Sequence, residues 1–172
     1  METAKRPTSQ RVVTIVLFAI YALVLMGVIL FKFPFSYQED SNGRVLNLIP
    51  LAGSFREDGV LRLGELVENV LIFVPFGLYL SMVARSWSFW KKTLLIFGVT
   101  VAFEVIQYVF VLGRADITDV LTNAIGGVLG IGVYALLTRA LKARTDWVIN
   151  VVALILTVAA LFELGFLLSH AR

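Results

Sequence analysis

Glu104, Gln107, Arg114, Asp116, Asp119 and Asn123 lie within about twenty residues of a chain that is otherwise mostly apolar. Glu104 and Gln107 are three apart and share a helix face. Asp116, Asp119 and Asn123 fall at i, i+3 and i+7, again one face. Arg114 stands between the two sets, and its planar donor fork can hold a carboxylate through two parallel hydrogen bonds. Glu68 and Asn69 add an acid and an amide from an earlier segment. Such groups can grip a polar headgroup or a cation. They can also join helices, since a polar contact between helices contributes about 0.6–2 kcal/mol in a membrane. A clasp of Arg114 on one acid, with Asn69 and Asn123 bonded across helices, is one reading. A pocket is the other, and the number of acids favours it.

The rest of the composition narrows the chemistry. The chain has no cysteine, which excludes disulfides, thiolate metal sites and cysteine nucleophiles. Its one histidine, His170, leaves no material for a His-based dyad or a multi-His zinc site. Glu68, Glu104, Asp116 and Asp119 are hard oxygen donors of the kind Mg²⁺ and Ca²⁺ prefer, but their spacing matches no known loop, so no metal is expected. No nucleotide loop, electron carrier or other cofactor motif is present. Gly126-Gly127-x-x-Gly130 follows no strand and reads as a close-packing helix face. Glu104 is the best candidate for a catalytic base, although a non-enzymatic role is the stronger expectation. No basic run with interleaved aromatics points to nucleic acid.

The elements that position these residues are transmembrane helices. Of 172 residues, 59% are hydrophobic and 16% charged, and the mean hydropathy is +0.87. A soluble domain carries about a quarter charged residues. Long apolar runs predict an all-α, polytopic transmembrane helix bundle of one domain, residues 1–172, with five spans at about 12–31, 66–84, 93–112, 117–138 and 147–168. The first run is longer than a signal peptide's apolar region. It ends in Phe31-Lys32-Phe33-Pro34-Phe35, without small residues for cleavage, so it reads as a retained span. Residues 32–64 form the one long hydrophilic segment, with turn signals at Ser41-Asn42-Gly43 and Asp58-Gly59. Within it, 45–51 is an apolar island too short to span, expected to pack over the bundle. Pro75 and Gly77 interrupt the second span, as is tolerated where neighbours satisfy the freed carbonyl.

Lysine and arginine placement sets the orientation. Lys5, Arg6 and Arg11, then Arg85, Lys91 and Lys92, then Arg139, Lys142 and Arg144 fall on one side; the opposite short segments hold only Arg114 and Arg172. The N-terminus is therefore expected inside and the C-terminus outside. Trp87, Trp90 and Trp147 fall at the inner boundary, where aromatic belts lie. The polar residues then collect in one outward layer. A weak repeat accompanies them: Asn69 with Gly77, and Asn123 with Gly130 or Gly132, open two descending helices. Each is followed by a helix with a glutamate in its outer half, Glu104 and Glu163.

Four motif blocks resemble the VanZ-like family of bacterial membrane proteins: Asn47-Leu-Ile-Pro50-Leu51; Asn69-Val-Leu-Ile-Phe73-Val-Pro75-Phe-Gly77; Thr100-Val-Ala-Phe-Glu104-Val-Ile-Gln107; and Arg114-Ala-Asp116-Ile-Thr-Asp119-Val-Leu-Thr-Asn123-Ala-Ile-Gly126. Leu51 stands for the family's Phe and Thr100 for its Ser. The two-residue step from Arg114 to Asp116 is also a departure. The blocks cover about residues 44–140, leaving the first and last spans outside. The resemblance implies a multi-pass protein of the bacterial cytoplasmic membrane, and the family's namesake is associated with reduced susceptibility to teicoplanin. The expectation is an outward-facing pocket of Glu68, Asn69, Glu104, Gln107, Arg114, Asp116, Asp119 and Asn123. It would bind a membrane lipid or lipid-linked envelope molecule and lower susceptibility to lipoglycopeptides. Alternatives are a membrane enzyme acting on a lipid headgroup, with Glu104 as base, and a structural partner in a homo- or hetero-oligomer.

Overall fold

The computed structural model describes residues 8–31, 45–55, 59–112 and 114–170. The Ser41-Asn42-Gly43 turn and the side chains of Glu163 and His170 lie outside the described residues. The described residues are mostly helical, at 84%. Its helices are α1 (Thr8–Phe31), α2 (Leu63–Val83), α3 (Phe89–Phe110), α4 (Ile117–Leu141) and α5 (Thr145–His170). Among the described residues, four stretches are long and apolar enough to cross a membrane: Thr8–Leu30, Leu63–Val83, Phe89–Phe110 and Ile117–Ala159. The last, 43 residues long, takes in α4, a short 3₁₀ turn and the first half of α5.

Local chemistry explains boundaries that hydropathy misplaces. α3 begins four residues before the expected 93, because Ser88 caps it, accepting from the Lys91 N–H at 3.4 Å. Lys91 and Lys92 thus belong to its first turn. Asp116 caps α4 through the Thr118 N–H at 2.8 Å. Gly59 stands at φ +77°, and Phe55 and Leu61 form an isolated antiparallel bridge, while Asp58 lies outside the described residues.

α2 and α4 form the central pair, and they run in the same direction. Gly126 lies against Val70, and Gly130 against Val74 and Leu78. Gly77 meets Gly127 so closely that a Cβ there would lie 1.8 Å from the Gly127 carbonyl oxygen. Small residues at such contacts let backbones touch, which is how helices gain dispersion energy where water supplies no driving force. α3 packs on α4 through Ile96 against Gly127. α1 closes the other side, with Phe18 on Phe76 and Tyr79, and the Tyr21 hydroxyl donating to the Ile72 carbonyl. That carbonyl is next to Leu71, whose helical donor is missing at Pro75.

One feature departs from an all-α bundle. Two three-residue strands, β1 (Val45–Asn47) and β2 (Arg114–Asp116), pair in parallel, in the register Val45–Arg114, Leu46–Ala115 and Asn47–Asp116. Three residues are too few to show a period of two. The apolar island is thereby fastened to the connection between α3 and α4, at the end of the bundle where α2 and α4 begin.

Candidate functional site

α3 carries its polar side inward. Its buried residues are Lys92, Ile96, Thr100, Glu104 and Gln107, only one of them apolar, while Leu94, Phe97, Val105 and Phe110 are exposed. This inversion fits a helix with hydrocarbon outside it, because polar groups avoid lipid and seek the bundle interior.

At the strand end these groups meet β2 and α4. Buried Glu104 accepts the Asp116 backbone N–H at its Oε2, at 2.8 Å. Asp116, also buried, spends Oδ1 on the helix cap; its Oδ2 accepts from Asn47 Nδ2 at 2.9 Å and from Arg114 Nη2 at 3.4 Å. Arg114 Nη2 also donates to the Gly53 carbonyl at 2.8 Å. A Cβ on Gly53 would fall 2.2 Å from that nitrogen, so a glycine there keeps the guanidinium's place open. The Leu51 N–H donates to Thr118 Oγ1 at 2.9 Å, from a residue at φ +65°. Asn69 Nδ2 donates to Asp119 Oδ1 at 2.7 Å, tying α2 to α4. Gln107 Nε2 donates to the Ile29 carbonyl at 2.8 Å, tying α3 to α1.

Six of the eight residues singled out by sequence therefore make side-chain bonds, in the sets Glu104–Asp116–Arg114, Asn69–Asp119 and Gln107–Ile29. Asn123 is not among them: it is 1% exposed, and neither its Nδ2 nor its Oδ1 has a hydrogen-bond partner. The buried Oε1 of Gln107 is likewise unpartnered. A buried polar group without a partner costs about 1–3 kcal/mol. The antiparallel register that sets Gly127 against Ile96 brings Asn123, one turn earlier, level with Thr100. Glu68 stands exposed on α2, apart from this network. The acids are thus held by amide, guanidinium and backbone donors, and the amides are what remain for something else. Among the described residues no three of His, Asp and Glu gather closely enough to hold a metal ion.

Sequence reasoning left Asn47 and Thr118 out of the site. Asn47 stood in a motif block, but its partner lies 69 residues away, a separation no periodicity reveals. A second polar cluster, at the opposite end, also escaped. Arg85 is ion-paired with the buried Asp146, which accepts from the Tyr134 hydroxyl at 3.2 Å, and Asn150 Nδ2 donates to Thr14 Oγ1 at 2.9 Å. Asp146 and Asn150, four apart at the start of α5, were the available signal.

The family model described as VanZ/LLP1 matches residues 18–138. The match starts within α1, ahead of the motif blocks. Protein VanZ of Enterococcus faecium is 36% identical over 150 residues, covering 84% of this chain and 88% of that protein. No solved structure matches the chain.

Proposed function

The chain belongs to the VanZ/LLP1 family, and from that premise we propose that it is a five-span protein of the bacterial cytoplasmic membrane whose strand-bearing end faces outward and binds an amphiphilic envelope molecule. Binding there would lower susceptibility to lipoglycopeptides such as teicoplanin. The basic residues support this orientation. Arg11, Arg85, Lys91, Lys92, Arg139, Lys142 and Arg144 all lie toward the end remote from the strands, as residues on the cytoplasmic side do. α5 starts at that end beside α1, with Ile149 packed in one cluster with Leu17, and its 26 residues are long enough to return across the bilayer.

The observation that carries the binding reading is Asn123. Its buried amide offers donors and an acceptor together, and the free acceptor of Gln107 lies about two turns of α3 further toward the strands. Such a set suits a ligand bearing hydroxyl or amide groups, as saccharide and peptide headgroups do. Asp116, Asp119, Glu104 and Asn69 would hold the wall and rim in shape. Arg114 would take an anionic portion through the donors that Gly53 and Asp116 leave over. The test is teicoplanin susceptibility of a sensitive bacterium expressing the protein. Asn123→Leu is expected to abolish protection at unchanged membrane abundance, and protection retained by that variant would overturn the reading. Arg114→Ala and Glu104→Gln should also lower protection.

The saturated bonds of Asp116 favour a second reading, a structural clasp that fastens the outer connections to the bundle. Under it, Asn123→Leu leaves every phenotype unchanged, and Asp116→Ala lowers abundance alone.

A further inference from the structure

The end of the bundle remote from the strands carries an open cavity of about 220 Å³, lined by Arg11, Thr14, Ile15, Met82, Val83 and Arg85. A water molecule's share of liquid volume is about 30 Å³, so the space takes a group far larger than one water. Its floor is fixed. Thr14 is 0% exposed and Met82 is buried, and Asn150 of α5 holds Thr14 from behind. Its walls at Ile15 and Val83 are 45% and 43% exposed, so the mouth opens onto the apolar outer surface between α1 and α2. Two guanidiniums stand at that mouth. Arg85 is steadied from the far side by its ion pair with Asp146. Arg11 carries none of the hydrogen bonds that join helices among the described residues.

We propose that this cavity is a binding site for an anionic phospholipid, with its phosphodiester between Arg11 and Arg85 and an acyl chain along Ile15 and Val83. The charge supports it: two cations face the cavity and one carboxylate, Asp146, backs it. Guanidinium forks match phosphate oxygens in bidentate geometry. Basic pockets between transmembrane helices are suited to anionic lipid headgroups, and each arginine near the surface contributes about a fivefold gain in affinity. The apolar mouth decides between a lipid and a free anion, since a soluble phosphate has no use for Ile15 and Val83. This site is separate from the strand-end network and does not depend on what that network binds.

The test uses the full chain in a mild detergent and reads its thermal unfolding midpoint during titration with short-chain phosphatidylglycerol, short-chain phosphatidylcholine or inorganic phosphate. Phosphatidylglycerol is expected to raise the midpoint saturably, and the other two are not. Arg11→Gln should weaken the apparent phosphatidylglycerol affinity about fivefold with the lipid-free midpoint unchanged. Lys142→Gln, an exposed basic residue outside the cavity, should not weaken it. An Arg11→Gln response equal to the unsubstituted protein's, or an equal response to phosphatidylcholine, would overturn the proposal. A shift produced by inorganic phosphate alone would overturn the lipid in favour of a free anion.

Discussion

Asn123, on α4, and Asp116, the strand residue that caps it, are both buried and polar, and they predict opposite outcomes. Asn123 has no partner to lose, so Asn123→Leu is expected to leave stability unchanged or raise it by up to about 1–3 kcal/mol, the cost of an unpaired buried group. Asp116 has several. Asp116→Ala removes a helix cap, worth about 0.5–2 kcal/mol, and leaves Asn47, Arg114 and the end of α4 short of an acceptor. A loss of about 2–4 kcal/mol is expected, given about 1.5–3 kcal/mol for a hydrogen bond to a charged group. Denaturant unfolding in detergent separates the two. Most of these residues were legible in the sequence, because polar groups among apolar ones are conspicuous and helical spacing assigns them a face. Their bonding was not legible. Asn47 reaches Asp116, and Arg85 reaches Asp146, across 69 and 61 residues.

The parallel contact of α2 and α4 depends on hydrogen-sized side chains. A Cβ on Gly130 would lie 2.0 Å from the Val74 carbonyl oxygen, whereas one on Gly132 meets nothing within 4 Å. Gly130→Ala must push the helices apart and is expected to destabilise by more than about 2 kcal/mol, at the scale of a core overpacked by one group. Gly132→Ala should be neutral or stabilise by up to about 1 kcal/mol through helix propensity. Thermal unfolding of the two variants side by side checks this contrast. The glycine series Gly126, Gly127 and Gly130 was readable as a packing face, since small residues at helical spacing among apolar ones have few other uses. The β1–β2 pairing was not, because strands of three residues have no pattern and their partners are chosen by where the helices end.

The absence of cysteine makes the molecule's direction in the membrane measurable. Leu48, exposed after β1, and Ala143, exposed between α4 and α5, mark the two ends. In intact cells a membrane-impermeant maleimide should label Leu48→Cys and spare Ala143→Cys, which should react only after permeabilisation. The reverse pattern would place the basic end outside and contradict the proposed orientation. Helical class and membrane character were legible from apolar run lengths alone. The break between α4 and α5 was legible too, because Arg139, Lys142 and Arg144 divide the two apolar runs, and the structure places there a three-residue 3₁₀ turn opened by Lys142 at φ +51°.

The ladder between Val45–Asn47 and Arg114–Asp116 also has a consequence in time. A chain made from its N-terminus produces β1 long before β2, with two whole helices to be inserted between them. For that interval the β1 edge has no β2 to pair with, and Gly53 has no guanidinium to receive. A chain halted at residue 112 would hold the first three helices, Glu104 and Asn69, and none of the bonds that make them a site. Completion of the polar layer is therefore a late event of synthesis, and it reports that α4 has arrived beside α2.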